Sequence, residues 1–149
     1  MKNLLLLSIS VFVISSCTPK PEPIEYGSDI CHFCKMTIVD QQHAAELVST
    51  KGKVFKFDAI ECMLNFEKES TDTKFALYLV NVYDQPKSLN NAGESVFLIS
   101  KALPSPMGAY LTAFKDQEVA KEIHTSKGGE LFDWESLRQH FDSLVTKDL

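Results

Sequence analysis

The sequence predicts an α+β protein built from two similar small halves. Short stretches rich in branched and aromatic residues, bounded by Gly, Pro and Asp, read as strands. Helical spacing of apolar residues appears only in brief segments that follow an aspartate. The late part of the chain also repeats a pattern of the early part. Lys51-Gly52 is followed by Phe57-Asp58 and then Phe66, and Lys127-Gly128 by Phe132-Asp133 and then Phe141 at the same interval. A hydrophobic content of 44% is enough to build a core.

Taken in order, Met1-Lys2-Asn3 is a short basic start, Leu4 to Ile14 an apolar run, and Ser15-Ser16-Cys17 a small-residue end. The run has the length of a secretory signal and is too short to span a bilayer. An ordinary signal peptide has no need of Cys17. The order apolar, small, small, Cys resembles a bacterial lipobox, which makes residues 1–16 a signal peptide and Cys17 a lipidated first residue, anchored by about 0.8 kcal/mol per buried methylene. The protein is then expected on the periplasmic side of the cell membrane or outer membrane. Pro19, Pro21 and Pro23 make residues 17–28 an extended tether.

The first half is expected over residues 29–83. Thr37 to Val39 and Ala44 to Thr50 read as strands, Lys51-Gly52 as a turn, and Val54 to Phe57 as an alternating, half-buried strand. Asp58 is expected to cap a helix carrying Ile60, Met63, Leu64 and Phe66, and Ala76 to Tyr83 to form a strong strand. The second half is expected over residues 84–149. It starts with a polar loop from Asp84 to Gly93 and continues with strands at Val96 to Ile99 and Tyr110 to Phe114. A short helix over Asp116 to Ile123 and an Asp133-capped helix complete it.

A net charge of −5 with scattered lysines and no basic block argues against nucleic-acid binding. With Cys17 lipidated, Cys31, Cys34 and Cys62 remain, and an odd number of thiols cannot pair completely within one chain. The Cys31-x-x-Cys34 spacing fits a redox disulfide, half of a zinc site or a copper site. Lys35 directly after Cys34 excludes covalent haem attachment, and the loop-like residues before Cys31, with a strand-like segment after Met36, disfavour a thioredoxin-type turn. Zinc would need further ligands, with Cys62 and one of His43, His124 or His140 as candidates.

Methionine shifts the balance. Met36 follows Cys34 by two residues, and Pro104 and Pro106 stiffen a loop that displays Met107 before Gly108. Thiolate and thioether sulfur outside the cytosol suits Cu(I), and thioethers cannot be lost to disulfides. Cys31, Cys34, Met36 and Met107 are candidate ligands, and His32 either ligates or merely flanks them. Cys62 reads first as a small buried hydrophobe and second as a ligand. Met63 reads as core, His43, His124 and His140 as surface or cap residues, and no acid, base or nucleophile constellation marks an enzyme.

Together, the lipobox Cys17, Cys31-x-x-Cys34-x-Met36 with Asp29 upstream, Ala44-Ala45-Glu46, Phe57-Asp58 leading to Cys62-Met63-Leu64, and Ser105-Pro106-Met107-Gly108 with Ala113-Phe114 resemble the NosL family, the nitrous oxide reductase accessory lipoproteins. The resemblance runs from the lipobox to about Phe141. It implies two small homologous ββαβ-type domains packed together, which would account for the Phe-Asp repeat, and a Cu(I) metallochaperone. The expected partners are the copper ion, a client copper enzyme such as nitrous oxide reductase with its assembly machinery, and the membrane through the lipid. The family commonly has Gly where this chain has Lys35, and some members lack the first Cys, so the ligands that the resemblance implies are Cys34, Met36 and Met107, with Cys31 ranked after them. An extracytoplasmic thiol-disulfide oxidoreductase and a zinc-stabilised binding module are the alternative readings.

Overall fold

The computed structural model describes residues 18–145, with side chains as far as residue 143. Cys17 and the apolar run before it lie outside the described residues. The elements are β1 (Ala45–Ser49), β2 (Val54–Phe57), α1 (Ile60–Glu69), β3 (Phe75–Val82), β4 (Gln85–Asn91), a 3-10 turn at Ala92–Glu94, β5 (Val96–Ile99), β6 (Leu111–Phe114), α2 (Gln117–Lys127), β7 (Glu130–Phe132) and α3 (Trp134–Val145). One sheet has the order β2-β1-β3-β4 and the other β6-β5-β7, with every pairing antiparallel.

The fold is α+β, and its two halves repeat in topology. In each, a central strand pairs with the strand that follows it and with the strand that returns after a helix, so β2-β1-β3 around α1 corresponds to β6-β5-β7 around α2. The Phe-Asp repeat in the sequence does not mark this equivalence. Phe57 ends β2 before α1, whereas Phe132 ends β7 before the appended helix α3. The N-cap of α2 is Asp116, which accepts hydrogen bonds from the N–H groups of Glu118 and Val119, in the position that Ala59 holds before α1. Asp58, expected to cap α1, does not: the N-cap is Ala59 with no side-chain bond, while Asp58 is buried. Asp133 does cap its helix, receiving the Ser136 N–H at 2.8 Å.

Two further segments differ from expectation. Residues 85–91 form β4 on the edge of the first sheet, paired with β3, although their polar composition and Pro86 read as a loop. A proline is tolerated there because an edge strand has one unpaired side. The first sheet therefore continues past residue 84. Thr37 to Val39, expected as a strand, contributes only the bridge between Ile30 and Thr37.

Both sheets feed one core. On the first, Leu47, Phe57 and Val80 face α1, whose Ile60, Met63 and Leu64 are buried; Phe97, Leu111, Ala113 and Phe132 of the second sheet and Leu137 of α3 join the same cluster. The opposite face of the second sheet packs Leu98 and Phe114 against Ala120 of α2. Strands β1 and β6 are therefore buried at every position, and no alternation is visible in their sequences. Trp134 stacks between Tyr78 and Phe97, at ring separations of 5.6 and 5.7 Å, and so links α3 to both sheets.

The other face of the first sheet is covered by the chain that precedes it. Glu46 is fully buried and accepts a hydrogen bond from the Glu22 N–H at 3.1 Å; Lys56, opposite it in register, donates to the Pro23 carbonyl and pairs with Asp29 at 2.8 Å. Burial pushes the Glu46 carboxyl up to about 7, and one of its oxygens has no partner among the described residues. The folded state thus holds the proton more tightly than the unfolded chain. The stability this supplies is complete below pH 4.5, the ordinary value for Glu, and is lost as pH rises through about 7. Replacing Glu46 with Gln should therefore stabilise the protein more at pH 8 than at pH 5, by a difference of roughly 3 kcal/mol at most. Denaturant titrations of both proteins at the two pH values measure this, and equal differences at both would show that Glu46 does not titrate on unfolding.

Candidate metal centre

The segment carrying Cys31 folds back on itself. The Cys31 N–H donates to the Met36 carbonyl at 2.8 Å and the Lys35 N–H to the Cys31 carbonyl at 3.1 Å, closing a tight loop against the Ile30–Thr37 bridge. Lys35 sits at φ 65°, in the left-handed region that favours glycine. Its side chain compensates by donating to the His32 carbonyl at 2.5 Å. The Cys-x-x-Cys pair thus lies in a closed loop and does not open a helix.

His32 docks this loop on the free edge of β2. Its N–H donates to the Lys56 carbonyl at 2.9 Å, and its Nδ1 accepts from the Lys56 N–H at 3.0 Å. The ring packs edge-on against Phe55 and Phe66. The same Nδ1 lies 3.2 Å from the Lys56 carbonyl, so a side chain completes the strand edge. His32 does not belong to the thiol group described next.

Helix α1 brings in the third sulfur. Its first turn follows β2 directly, and the Cys62 side chain meets the loop: one sulfur each from Cys31, Cys34 and Cys62 lie within 4.8 Å of one another, and all three thiols are free. Three sulfurs around one ion at a metal–sulfur distance of about 2.3 Å would stand about 4 Å apart, so the group is close to a ligating arrangement. Cys31 and Cys62 are fully buried and Cys34 is half-buried, which makes Cys34 the edge of the cluster nearest solvent. The Cys62 thiol donates to Cys31, and backbone groups of Asp58, Cys34 and Phe33 add to it, holding the Cys31 thiol down at about 4; the same hydrogen bond pushes Cys62 up, and burial raises Cys34. Asp58, itself 2% exposed and with Oδ1 unpartnered among the described residues, is raised by burial and by the Cys31 charge.

The second motif reaches the same helix end from the other half of the chain. Ser105 to Gly108 form a turn closed by the Gly108 N–H on the Ser105 carbonyl. The Ser105 hydroxyl donates to Glu61 Oε1 at 2.5 Å and the Ala109 N–H to the same oxygen at 3.3 Å. Glu61 precedes Cys62, so one turn of α1 supplies a thiol to the first loop and an anchor to the second. Met107 is 41% exposed and Met36 54%. The large hydrophobic side chains exposed among the described residues, Ile30, Met36, Val39, Met107 and Tyr110, all lie on or beside these two loops.

The structure therefore gathers Cys31, Cys34 and Cys62, leaves Met36 and Met107 exposed on two loops tied to α1, and gives His32 a backbone partner. His43, expected at the surface, is buried: its ring bonds Asp40 at 2.9 Å and Thr112 at 3.1 Å. His124 bonds the Gly129 carbonyl and His140 packs on Phe132. No histidine joins the thiols in the metal-ligand grouping found among the described residues. Glu61 escaped the sequence reading, although a carboxylate beside a cysteine in the apolar first turn of a helix is a usable signal.

Known proteins similar to this chain share its fold and its family. The copper-binding lipoprotein NosL of Stutzerimonas stutzeri is 27% identical over 150 residues, covering 91% of this chain and 79% of that protein. The crystal structure of the copper chaperone NosL from Shewanella denitrificans has the same fold, with a TM-score of 0.68 at 19% identity over 79% of this chain and 95% of that one. The family model NosL matches residues 24–141, most of the chain, and the protein belongs to the NosL family.

Proposed function

We propose that this chain is a lipid-anchored, non-enzymatic Cu(I) carrier that delivers copper outside the cytoplasm to a client copper enzyme, nitrous oxide reductase being the client the family resemblance implies. The observation that carries the reading is the thiol cluster with its single half-exposed member, Cys34, in a chain whose exposed methionines stand on the two loops tied to α1. Soft sulfur donors select Cu(I) over hard cations, and thioethers keep an ion exchangeable. The relatives' names, a copper-binding lipoprotein and a copper chaperone, support copper as the cargo.

Cys34 is the pivotal ligand in this reading, with Met36 and Met107 as the thioethers that meet an incoming or departing ion. The exposed apolar rim formed by Ile30, Val39 and Tyr110 supports handover by direct contact, since a partner covering it would exclude water from the transfer path. No helix among the described residues is long and apolar enough to cross a membrane, so anchoring rests on Cys17.

Two measurements test this. In an anaerobic competition titration against a chromophoric Cu(I) chelator, Cys34→Ser should lower affinity at least tenfold, Met107→Ala should weaken binding less, and Met107→Ala should leave the apo melting temperature nearly unchanged because its side chain is exposed. X-ray absorption showing only nitrogen and oxygen neighbours, or tightly held zinc that Cu(I) cannot displace, would overturn the carrier. Separately, Cys17→Ala should leave the protein unprocessed and release it from membranes. A mature N-terminus at any other residue, without acyl mass, would refute the anchor.

A further inference from the structure

The three free thiols between the 31–36 loop and the first turn of α1 differ in their access to solvent. Cys31 and Cys62 are 0% and 1% exposed and belong to the main core, whereas Cys34 is half-buried and only packs against it. Three thiols can form one disulfide and leave one sulfur over. We infer that oxidation by a disulfide-bearing reagent enters at Cys34, passes inward, and comes to rest as a buried disulfide between Cys31 and Cys62 that hands Cys34 back as a free thiol. The use of this modification rests on the carrier reading above, because the sulfur left over is the one that reading makes pivotal. The disulfide itself stands on the arrangement of the three sulfurs.

Access dictates the order of events. A reagent as large as oxidised glutathione cannot reach sulfurs with no exposed surface, and Cys34 is the member of the cluster open to it. The Cys34 thiol attacks one sulfur of the reagent and forms a mixed disulfide, while its proton leaves with the first reduced half. Cys31, whose sulfur lies within 4.8 Å, attacks the Cys34 sulfur next and releases the second half as a thiol. Cys62 then attacks the Cys31 sulfur, and Cys34 departs with the proton of Cys62. Two thiols of the protein have given up two electrons, and the reagent has become two thiols.

Three observations set the end point at Cys31 and Cys62. The Cys62 thiol already donates to Cys31, so these two sulfurs face each other. A bond from Cys31 to Cys34 closes only a short ring around the turn that the Lys35 N–H makes on the Cys31 carbonyl. A bond from Cys31 to Cys62 instead ties the loop to α1 across β1 and β2, which restricts the unfolded chain far more. Finally, a disulfide that includes Cys34 keeps one sulfur open to attack by a reducing thiol, whereas the inner one has no exposed sulfur.

The test uses the full chain in detergent, stripped of metal, so that copper plays no part in the outcome. After exposure to oxidised glutathione the protein is denatured, its remaining thiols are alkylated, and the digest is mapped by mass spectrometry. The expected product joins the Cys31 peptide to the Cys62 peptide with the alkyl group on Cys34, and a glutathione adduct at Cys34 precedes it in time. Cys34→Ser should slow formation of the inner bond about tenfold or more, because the entry point is lost. Cys62→Ser should stop at a bond between Cys31 and Cys34. An unchanged rate in Cys34→Ser would overturn the relay. If that variant fails to fold, as judged by circular dichroism, the wild-type time course decides: the adduct ahead of the inner bond supports the entry point, and the inner bond without it overturns that point. A final bond between Cys31 and Cys34 with Cys62 alkylated, or three alkylated thiols after exhaustive treatment, would overturn the inner disulfide and leave the carrier reading standing. A protein that forms the inner bond yet binds no Cu(I) when reduced would remove the carrier reading and leave the disulfide.

Discussion

The buried face of α1 positions the candidate site. Ile60, Met63 and Leu64 lock the helix into a core to which both sheets contribute, so its first turn cannot shift without opening that core. Glu61 and Cys62 lie within this fixed turn, and each reaches a different loop. The protein thus joins residues near 31 with residues near 107 without a disulfide or a shared sheet, using one carboxylate and one thiol on consecutive positions. The two sheets packed against each other are large enough to hold such a turn rigid, which a half of this size would not do alone.

Repetition of the ββαβ unit sets where the site can be. Helix α1 packs between the halves, while its counterpart α2 covers the outer face of the second sheet with a smaller cluster of its own. The same topology has therefore been used once for a buried helix and once for a peripheral one. Among the described residues the thiol group meets the buried copy, through Cys62. Asp58, two residues before the buried copy, does not cap it and is buried within reach of the Cys31 charge, whereas Asp116 caps the peripheral copy.

Much of the fold was legible in the sequence where a local rule dominated. Alternation exposed β2, aromatic and branched residues exposed β3 and β5, and Asp116 announced α2. Strand β4 was hidden because an edge strand of polar residues has no packing pattern to display, and its pairing with β3 is a tertiary fact. The Phe-Asp repeat misled because a strand end followed by a helix start looks alike wherever it occurs, so the match fell on α3 and not on α2. At the site, the Cys-x-x-Cys motif pointed to the loop whose two thiols the structure gathers with Cys62. The gathering of Cys62 was legible only as the second of two readings, since a cysteine on an apolar helix face looks the same whether it packs against leucine or against two other thiols. His32 shows the converse: its sequence position beside Cys31 suggested a ligand, and only the edge of β2 shows that its Nδ1 is already occupied by a backbone N–H.

The segment read as a tether joins the fold early. Glu22 already bonds Glu46, Pro23 accepts from Lys56, and Ile24 is buried in the main core. For a protein anchored through Cys17, the leash is then only the few residues before Glu22, with a reach of roughly 15 Å even fully extended. A domain on so short a leash cannot tumble freely over the bilayer. It presents a restricted set of faces to anything embedded there, so the orientation of the two sulfur-bearing loops would be set by the lipid as much as by the partner.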